Sequence, residues 1–284
     1  MNNVQSLIVR EEIIKTIRSF FYKQNFHEVI PDILNDTLPS EPNLFPFSTV
    51  WKTQESEKTY FLPMSPERSI KKMLAQDIGN CFAISKSFRN LEGSGSLHKP
   101  EFLMLEWYRE NAVYTDIMSD VEKLFVNFGF KKNWPVLSLK KLFQKYLDLD
   151  LEKTITNNKL FFKDYDQLFV NEIESKLPKT PLFLIDFPSK ISPLCKPQKN
   201  NPVFAERFEC YISGIELGNG NTENTDAKSL RKIFKREQRL TSLPIDEEFL
   251  DSLKTMSKKS YAGVGIGIER LVMVLNNRSS IITS

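Results

Sequence analysis

Two periods of hydrophobic spacing alternate along the chain, and the points where one gives way to the other mark out its elements. In 9–24 the apolar residues Ile13, Ile14, Ile17, Phe20 and Phe21 keep the spacing of one helix face. The extended pattern of 26–34 contains Pro31, whose missing N–H confines it to a sheet edge or an interface. Helix, strand and proline in that order suit a dimer contact or a plain edge strand. A short strand over 60–64 leads into Ser65-Pro66-Glu67, which opens a helix with a capping hydroxyl, a proline in the first turn and an acid beside it. Glu67 there either stabilises the helix dipole or faces a ligand amine.

Period two returns at 81–89, with Phe82, Ile84 and Phe88 at even spacing. The next stretch, 91–99, is a loop in which Gly93, Ser94, Gly95 and Ser96 supply the backbone freedom of a lid, and Pro100 closes the turn into an extended run over 101–109. On this second strand of a hairpin, Phe102, Met104, Glu106 and Tyr108 share one face and Leu103, Leu105 and Trp107 the other. Helical spacing fills 117–128, 138–147 and 165–177 without a chemical signature, so 113–180 reads as a helical flank or insertion. An apolar strand over 181–187 precedes an irregular segment, 188–202, that holds four prolines. A strand over 204–212, the turn Ser213-Gly214 and a return over 215–217 make a second hairpin. The backbone of Gly218-Asn219-Gly220-Asn221 then reads as one that needs positive φ or close approach of a ligand. Asp226 caps a basic helix over 228–239, whose charges read as a solvated face. The last strand carries glycine at 263, 265 and 267, leaving one face bare, and runs into Arg270 and an apolar helix over 271–275.

Both hairpins hold charges that are costly where they stand. A carboxylate among Met and aromatic neighbours costs several kcal/mol unless paired, so Glu106 calls for a cation. Arg89, where the first strand meets the glycine loop, has the planar fork that takes two phosphate oxygens at once. The hairpin reads as the floor of an ATP site or, equally, as a surface hairpin with an ordinary salt bridge. On the second hairpin Tyr211 falls opposite Glu216, and Glu209 lies two residues from Tyr211 on the same face, so two acids converge. They repel unless a cation intervenes. Magnesium carrying nucleotide phosphates is one answer, and surface pairing such as Glu206 with Arg207 is the other.

Composition narrows the chemistry. With 284 residues, 40% hydrophobic and 26% charged, the chain can bury one substantial core or two modest ones. It shows neither a membrane-length apolar run nor a signal-peptide pattern, which points to the cytoplasm and to no membrane partner. Cysteines at 81, 195 and 210 lack metal-type spacing and only two histidines are present, so any metal would sit on oxygen ligands, as Mg2+ does. A net charge of +3 does not argue for nucleic acid.

Taken in order, SPE at 65–67, FRN at 88–90, HKPEF at 98–102, LEWYR at 105–109, ERFE at 206–209, GIELGNG at 214–220 and GIERLVM at 267–273 resemble pieces of the class II aminoacyl-tRNA synthetase catalytic domain. They are similar to its motif 2, metal-binding hairpin and motif 3, with the Pro31 region as motif 1. The likeness covers nearly the whole chain and is strongest to the EpmA family (PoxA, GenX). Its members are lysyl-tRNA synthetase paralogues that lack the anticodon-binding domain and attach a lysine-type residue to a lysine of translation elongation factor P. The resemblance implies an α+β fold, with an antiparallel sheet flanked by helices in a single catalytic domain over 1–284. It further implies a homodimer through 1–34, with no tRNA-binding module.

The resemblance also implies ATP and Mg2+ as cofactors. Arg89 would take the α-phosphate and Arg270 the γ-phosphate as the catalytic residues, Phe102 would stack on adenine, and Asn90, Leu91, Glu92, Lys99, Cys210 and Gly267 would line the nucleotide. Glu209 and Glu216 would hold the metal and contact nucleotide and substrate. Glu106 with Tyr108 and Glu223 would receive the side-chain or β-ammonium of lysine or β-lysine. Ser65, Pro66 and Glu67 would meet the other amine, Asn219 the carboxylate, and Gly265 would form the pocket wall. The implied reaction makes an aminoacyl-adenylate and pyrophosphate, then transfers the aminoacyl group to an amine, with elongation factor P rather than tRNA as the acceptor. Four residues depart from the family pattern: Leu91 where Glu follows FRN, Lys99 where Asn precedes PEF, Asn221 where an aromatic follows GNG, and Gly265 where EpmA proteins carry Ala and lysyl-tRNA synthetases Gly. Both α-lysine and β-lysine stay open, as do two other readings, a small synthetase that charges tRNA and a catalytically silent regulator. Acids 106, 209, 216 and 223 and arginines 89 and 270 are expected to gather in one cavity.

Overall fold

Residues 3–39, 44–91, 99–157, 162–241 and 243–276 are described by the computed structural model of the protein. The backbone divides into two units, one of Met1–Asn111, Thr225–Tyr261 and Gly265–Ser284, the other of Ala112–Asn224 and Ala262–Val264.

In the first unit the helical stripe of 9–24 is realised as α1 (Asn3–Lys23), which buries Ile13, Ile17 and Phe21. The Phe21 ring stacks on Phe82 at 4.7 Å and meets Trp107 at 5.2 Å, so α1 covers the Trp107 side of the first hairpin. Strand β1 is only His27–Glu28. Val29 still donates its N–H to the Phe82 carbonyl at 2.9 Å, and beyond it Pro31 has no N–H with which to extend a ladder. An exposed antiparallel hairpin follows, β2 (Ser48–Lys52) and β3 (Glu57–Phe61). Sequence pattern shows only the second of these strands, displaced to 60–64; Pro63 stops the ladder short of that range. Helix α2 (Glu67–Leu74) has Pro66 as its N-cap residue, so Ser65 is not the cap, although its Oγ accepts from the Glu67 N–H at 3.3 Å. β4 (Cys81–Phe88) runs parallel to β1 and antiparallel to β5 (Glu101–Glu110), in a register that sets Ala83 opposite Glu106 and Ser87 opposite Phe102. Residues 92–98 of the glycine loop lie outside the described residues.

The second unit opens with α3 (Tyr114–Val126), which starts ahead of residue 117 because Asp116 Oδ2 accepts the Val113 N–H at 2.8 Å. It continues with β6 (Val136–Ser138), α4 (Leu139–Leu147), α5 (Leu151–Thr156), α6 (Phe162–Leu168) and β7 (Leu182–Ile185). The helix expected over 165–177 is α6 continued by a π turn, Phe169–Ile173, and a 3₁₀ turn, Glu174–Lys176. Rings of Phe143, Tyr165 and Phe169 stack 5.6 and 6.2 Å apart. Leu139, Phe143 and Tyr165 share a buried cluster with Leu182, Leu184 and Tyr211, so this segment packs directly under the second hairpin.

That hairpin is β8 (Arg207–Ile212), antiparallel to β7, and β9 (Ile215–Thr222). Ser213 and Gly214 both have positive φ, 57° and 76°, as a two-residue turn of this hand requires. β9 runs straight through 218–221, and the positive φ expected there does not occur; among the described glycines it occurs at Gly79, Gly129 and Gly214. Gly220 answers a different need. A Cβ on it would lie 2.6 Å from the Gly263 carbonyl oxygen and 2.7 Å from the Phe208 ring, so protein rather than ligand makes the close approach. Gly220→Ala is expected to destabilise the fold by about 1–3 kcal/mol through overpacking, read as a lower urea midpoint at unchanged m-value.

Returning to the first unit, α7 (Ala227–Thr241) begins where expected, with Asp226 Oδ1 accepting from the N–H groups of Lys228 and Ser229 at 3.1 and 3.0 Å. α8 (Glu247–Met256), which sequence pattern did not single out, is capped by Asp246, whose carboxylate also pairs with the buried Arg68. β10 (Tyr261–Gly267) then leads into α9 (Ile268–Leu275). The fold is α+β with mostly antiparallel strand pairing, and no described helix is long and apolar enough to cross a membrane.

Candidate active site

In the first unit Arg89 follows the last residue of β4. Its Nε donates to the Met64 carbonyl at 3.2 Å, and its guanidinium carbon lies 5.3 Å over the Phe102 ring, a cation–π contact. The fork suited to phosphate and the ring suited to a base are therefore neighbours. Asn90 donates its N–H to the Phe45 carbonyl at 2.8 Å, and its Oδ1 accepts from the Leu91 N–H at 2.9 Å. Leu91 is exposed, with φ 59°, a left-handed conformation uncommon for leucine. Lys99 ends the loop, while Glu92 lies outside the described residues.

Glu106, 4% exposed, accepts the Tyr108 hydroxyl at 3.1 Å. Gly265 borders it, since a Cβ there would sit 3.3 Å from Glu106 Oε1 and 3.3 Å from Met104 Sδ. The bare face of β10 at Gly265 thus looks onto the face of β5 that carries the acid. Gly267 is the N-cap residue of α9, and Arg270 stands in its first turn beside Glu269. Both Glu269 oxygens accept the Leu103 N–H, at 3.0 and 3.1 Å, which ties α9 to β5. Ser65 and Pro66 precede α2, where the Glu67 carboxylate bonds to the buried Lys71 ammonium one turn on. Neither reading of Glu67 from sequence includes that partner.

In the second unit the β8–β9 register sets Tyr211 opposite Glu216, as the turn predicts, and Glu209 opposite Asn219. Glu209 is buried; its Oε1 accepts from Arg207 Nη2 at 2.8 Å and its Oε2 from the Tyr211 hydroxyl at 2.9 Å. Arg207 therefore pairs with Glu209 rather than with Glu206. Sequence reasoning passed it over as a site residue, although period two already puts positions 207, 209 and 211 on one face. Burial first, and then the Glu216 carboxylate, push the Glu209 carboxyl up to about 7 against the pull of Arg207. Cys210 is buried with its thiol donating to the Gly218 carbonyl at 3.4 Å, and burial raises its pKa, so it is an inert lining group. Glu223 is buried on the segment that bridges Cys195.

Two acids whose mutual repulsion one guanidinium does not cancel form a donor set suited to a hard divalent cation. Among the described residues no group of three or more His, Cys, Asp or Glu side chains is placed to hold a metal. Glu209 and Glu216 would accordingly hold Mg2+ with other positions left to water and nucleotide oxygens, the arrangement Mg2+ prefers. The cation requires charged Glu209, whose carboxyl is pushed up to about 7 by burial and by the Glu216 carboxylate. Mg2+ binding is therefore expected to release close to one proton at about pH 6 and almost none above about pH 8.5, measurable by calorimetry in two buffers of different ionisation heat.

The family model for tRNA synthetases class II (D, K and N) matches residues 2–283. The chain belongs to the class II aminoacyl-tRNA synthetase family. Its relatives in that family include the elongation factor P–(R)-beta-lysine ligase of Buchnera aphidicola subsp. Schizaphis graminum, 34% identical over 98% of this chain and 94% of the relative. The ligase of the same name from Salmonella arizonae is 33% identical over 96% and 91%, and a homologue of it from Aquifex aeolicus is 32% identical over 95% of each chain. As a class II synthetase relative, the protein is an ATP-dependent ligase.

Proposed function

We propose that this class II enzyme activates lysine or β-lysine with ATP and transfers it to a lysine of translation elongation factor P. The observation that carries the reading is Glu106, an acid shielded from water, oriented by Tyr108 and bordered by a strand position without a side chain. Such a place suits an ammonium on a side chain that must be let in past Gly265. The names of the relatives supply the acceptor.

In the reaction a substrate carboxylate oxygen bonds to the α-phosphorus while the bond from that phosphorus to the bridging oxygen breaks and pyrophosphate leaves. The acceptor amine then bonds to the carbonyl carbon, the bond from that carbon to the phosphate oxygen breaks, and AMP and one amine proton leave. Arg89 takes the α-phosphate, Arg270 the γ-phosphate and Phe102 the base, with Asn90, Leu91, Lys99, Cys210 and Gly267 along the nucleotide. Ser65, Pro66, Glu67, Asn219 and Glu223 contact the amino acid with Glu106 and Tyr108. Mg2+, when bound to Glu209 and Glu216, neutralises phosphate charge. No side chain need carry a proton in the first step, because orientation and charge neutralisation suffice for in-line displacement. Exposed Val4, Leu7 and Ile8 on α1, with Ile30 and Leu34 after it, support a contact with a second copy there, and a partner in translation supports a cytoplasmic place of action.

The test is purified protein with ATP, labelled lysine or β-lysine, and either elongation factor P or tRNA. Label on the factor is expected; label on tRNA alone would move the reading to a tRNA-charging synthetase. A methyl at 265 would crowd Glu106 Oε1 and Met104 Sδ. In pyrophosphate exchange, Gly265→Ala is expected to lower kcat/KM for α-lysine relative to β-lysine by about 10- to 100-fold, the range a single methyl commands in a pocket.

A further inference from the structure

The helical segment before β7 brings one side chain to the paired acids. Tyr211, fully buried on β8, places its hydroxyl 2.9 Å from Glu209 Oε2 and 3.2 Å from Glu174 Oε1, and Glu174 opens the 3₁₀ turn that closes this segment. The Tyr211 ring sits in the cluster built by Phe143 and Tyr165, so its hydroxyl has little room to move. Arg207 holds the other Glu209 oxygen at 2.8 Å, is itself steadied by Ser192 Oγ at 3.1 Å, and lies 4.7 Å over the Phe187 ring. Each Glu209 oxygen thus accepts one hydrogen bond from a donor whose own position is set by packing. A carboxylate oxygen has a second lone pair to offer, so a side chain gripped in this way keeps one orientation and still presents oxygen to a cation. Outer partners of this kind govern how well a metal ligand is aimed.

We propose that Tyr211 and Arg207 are positioning residues that aim Glu209 at the metal, giving the helical segment, whose rings pack Tyr211, a part in nucleotide activation. The proposal rests on the reading of Glu209 and Glu216 as the metal pair. It predicts a defect in metal binding rather than in the lysine site, which a general loss of fold would not single out.

The experiment is calorimetric titration of Mg2+ into the whole protein saturated with a non-hydrolysable ATP analogue, together with KM for lysine, for wild type, Glu209→Gln, Tyr211→Phe and Glu174→Ala. Tyr211→Phe keeps the ring and is expected to weaken Mg2+ binding about 10- to 100-fold with the lysine KM unchanged. Glu174→Ala, which removes the other acceptor of the single hydroxyl proton, is expected not to weaken it. Loss of Mg2+ binding in Glu209→Gln alongside wild-type affinity in Tyr211→Phe would overturn the positioning role and leave the metal pair standing. Wild-type affinity in Glu209→Gln would remove the metal pair and the proposal with it. Should Tyr211→Phe fail to fold, weakened Mg2+ binding in a folded Glu174→Ala protein overturns the proposal by itself.

Discussion

Arg89→Ala is expected to cut kcat/KM for lysine-dependent pyrophosphate exchange by about 10³-fold, the scale seen when one preorganised group that stabilises transition-state charge is removed. The Arg89 fork is aimed before any substrate arrives, because its Nε is held by the Met64 carbonyl and its flat face lies over Phe102. That orientation needs no reorganisation as charge builds on the α-phosphate. The loss should fall mainly on kcat, since the charge being met is larger in the transition state than in bound ATP. Arg89→Lys keeps a charge but loses both the fork and the ring contact, so only partial recovery is expected. The side chain is half-buried at the end of a strand, and little change in Tm should accompany the kinetic loss. Exchange within tenfold of wild type in a folded Arg89→Ala protein would remove this arginine from the nucleotide site.

The two hairpins were legible because their signals are local. Alternation over 101–109 sorted Glu106 from Trp107, and Ser213-Gly214 fixed the register that sets Tyr211 opposite Glu216. What escaped depends on neighbours distant in sequence. β2 is exposed along its whole length, so no apolar alternation announces it. The apolar stripes of α4 and α6 mark helices without saying what they cover, and the cluster they share with Tyr211 is not visible in them. Gly220 reads as a place for positive φ or for close approach of a ligand until the Phe208 ring and the Gly263 carbonyl are seen against it. Arg207 offered two acids at short range, Glu206 and Glu209, and the pleat decides between them: the adjacent residue points to the opposite face, while the next but one shares its side. The ion pair between Glu67 and Lys71 was readable at i,i+4 spacing, and the ligand reading of Glu67 drew attention from it.

Glu106→Gln should separate charge from shape in the amino acid site. The amide fills the same volume beside Gly265 and can still accept the Tyr108 hydroxyl, so the strand pairing of β5 and the fold should persist. What disappears is the negative charge, held at 4% exposure where water screens it poorly. Removing one partner of a buried charge pair costs about 3–5 kcal/mol, so KM for lysine is expected to rise by about 10²- to 4 × 10³-fold, while KM for ATP changes little. Discrimination should narrow in parallel: norleucine has no terminal ammonium to gain from the negative charge of Glu106, so wild type favours lysine over it, and the variant loses that ground for preference. Half-saturation constants for lysine, β-lysine and norleucine in the exchange assay decide the matter. An unchanged lysine KM in Glu106→Gln would mean that the ammonium binds elsewhere, and the substrate class proposed for this enzyme would have to be given up even if Arg89 proves essential.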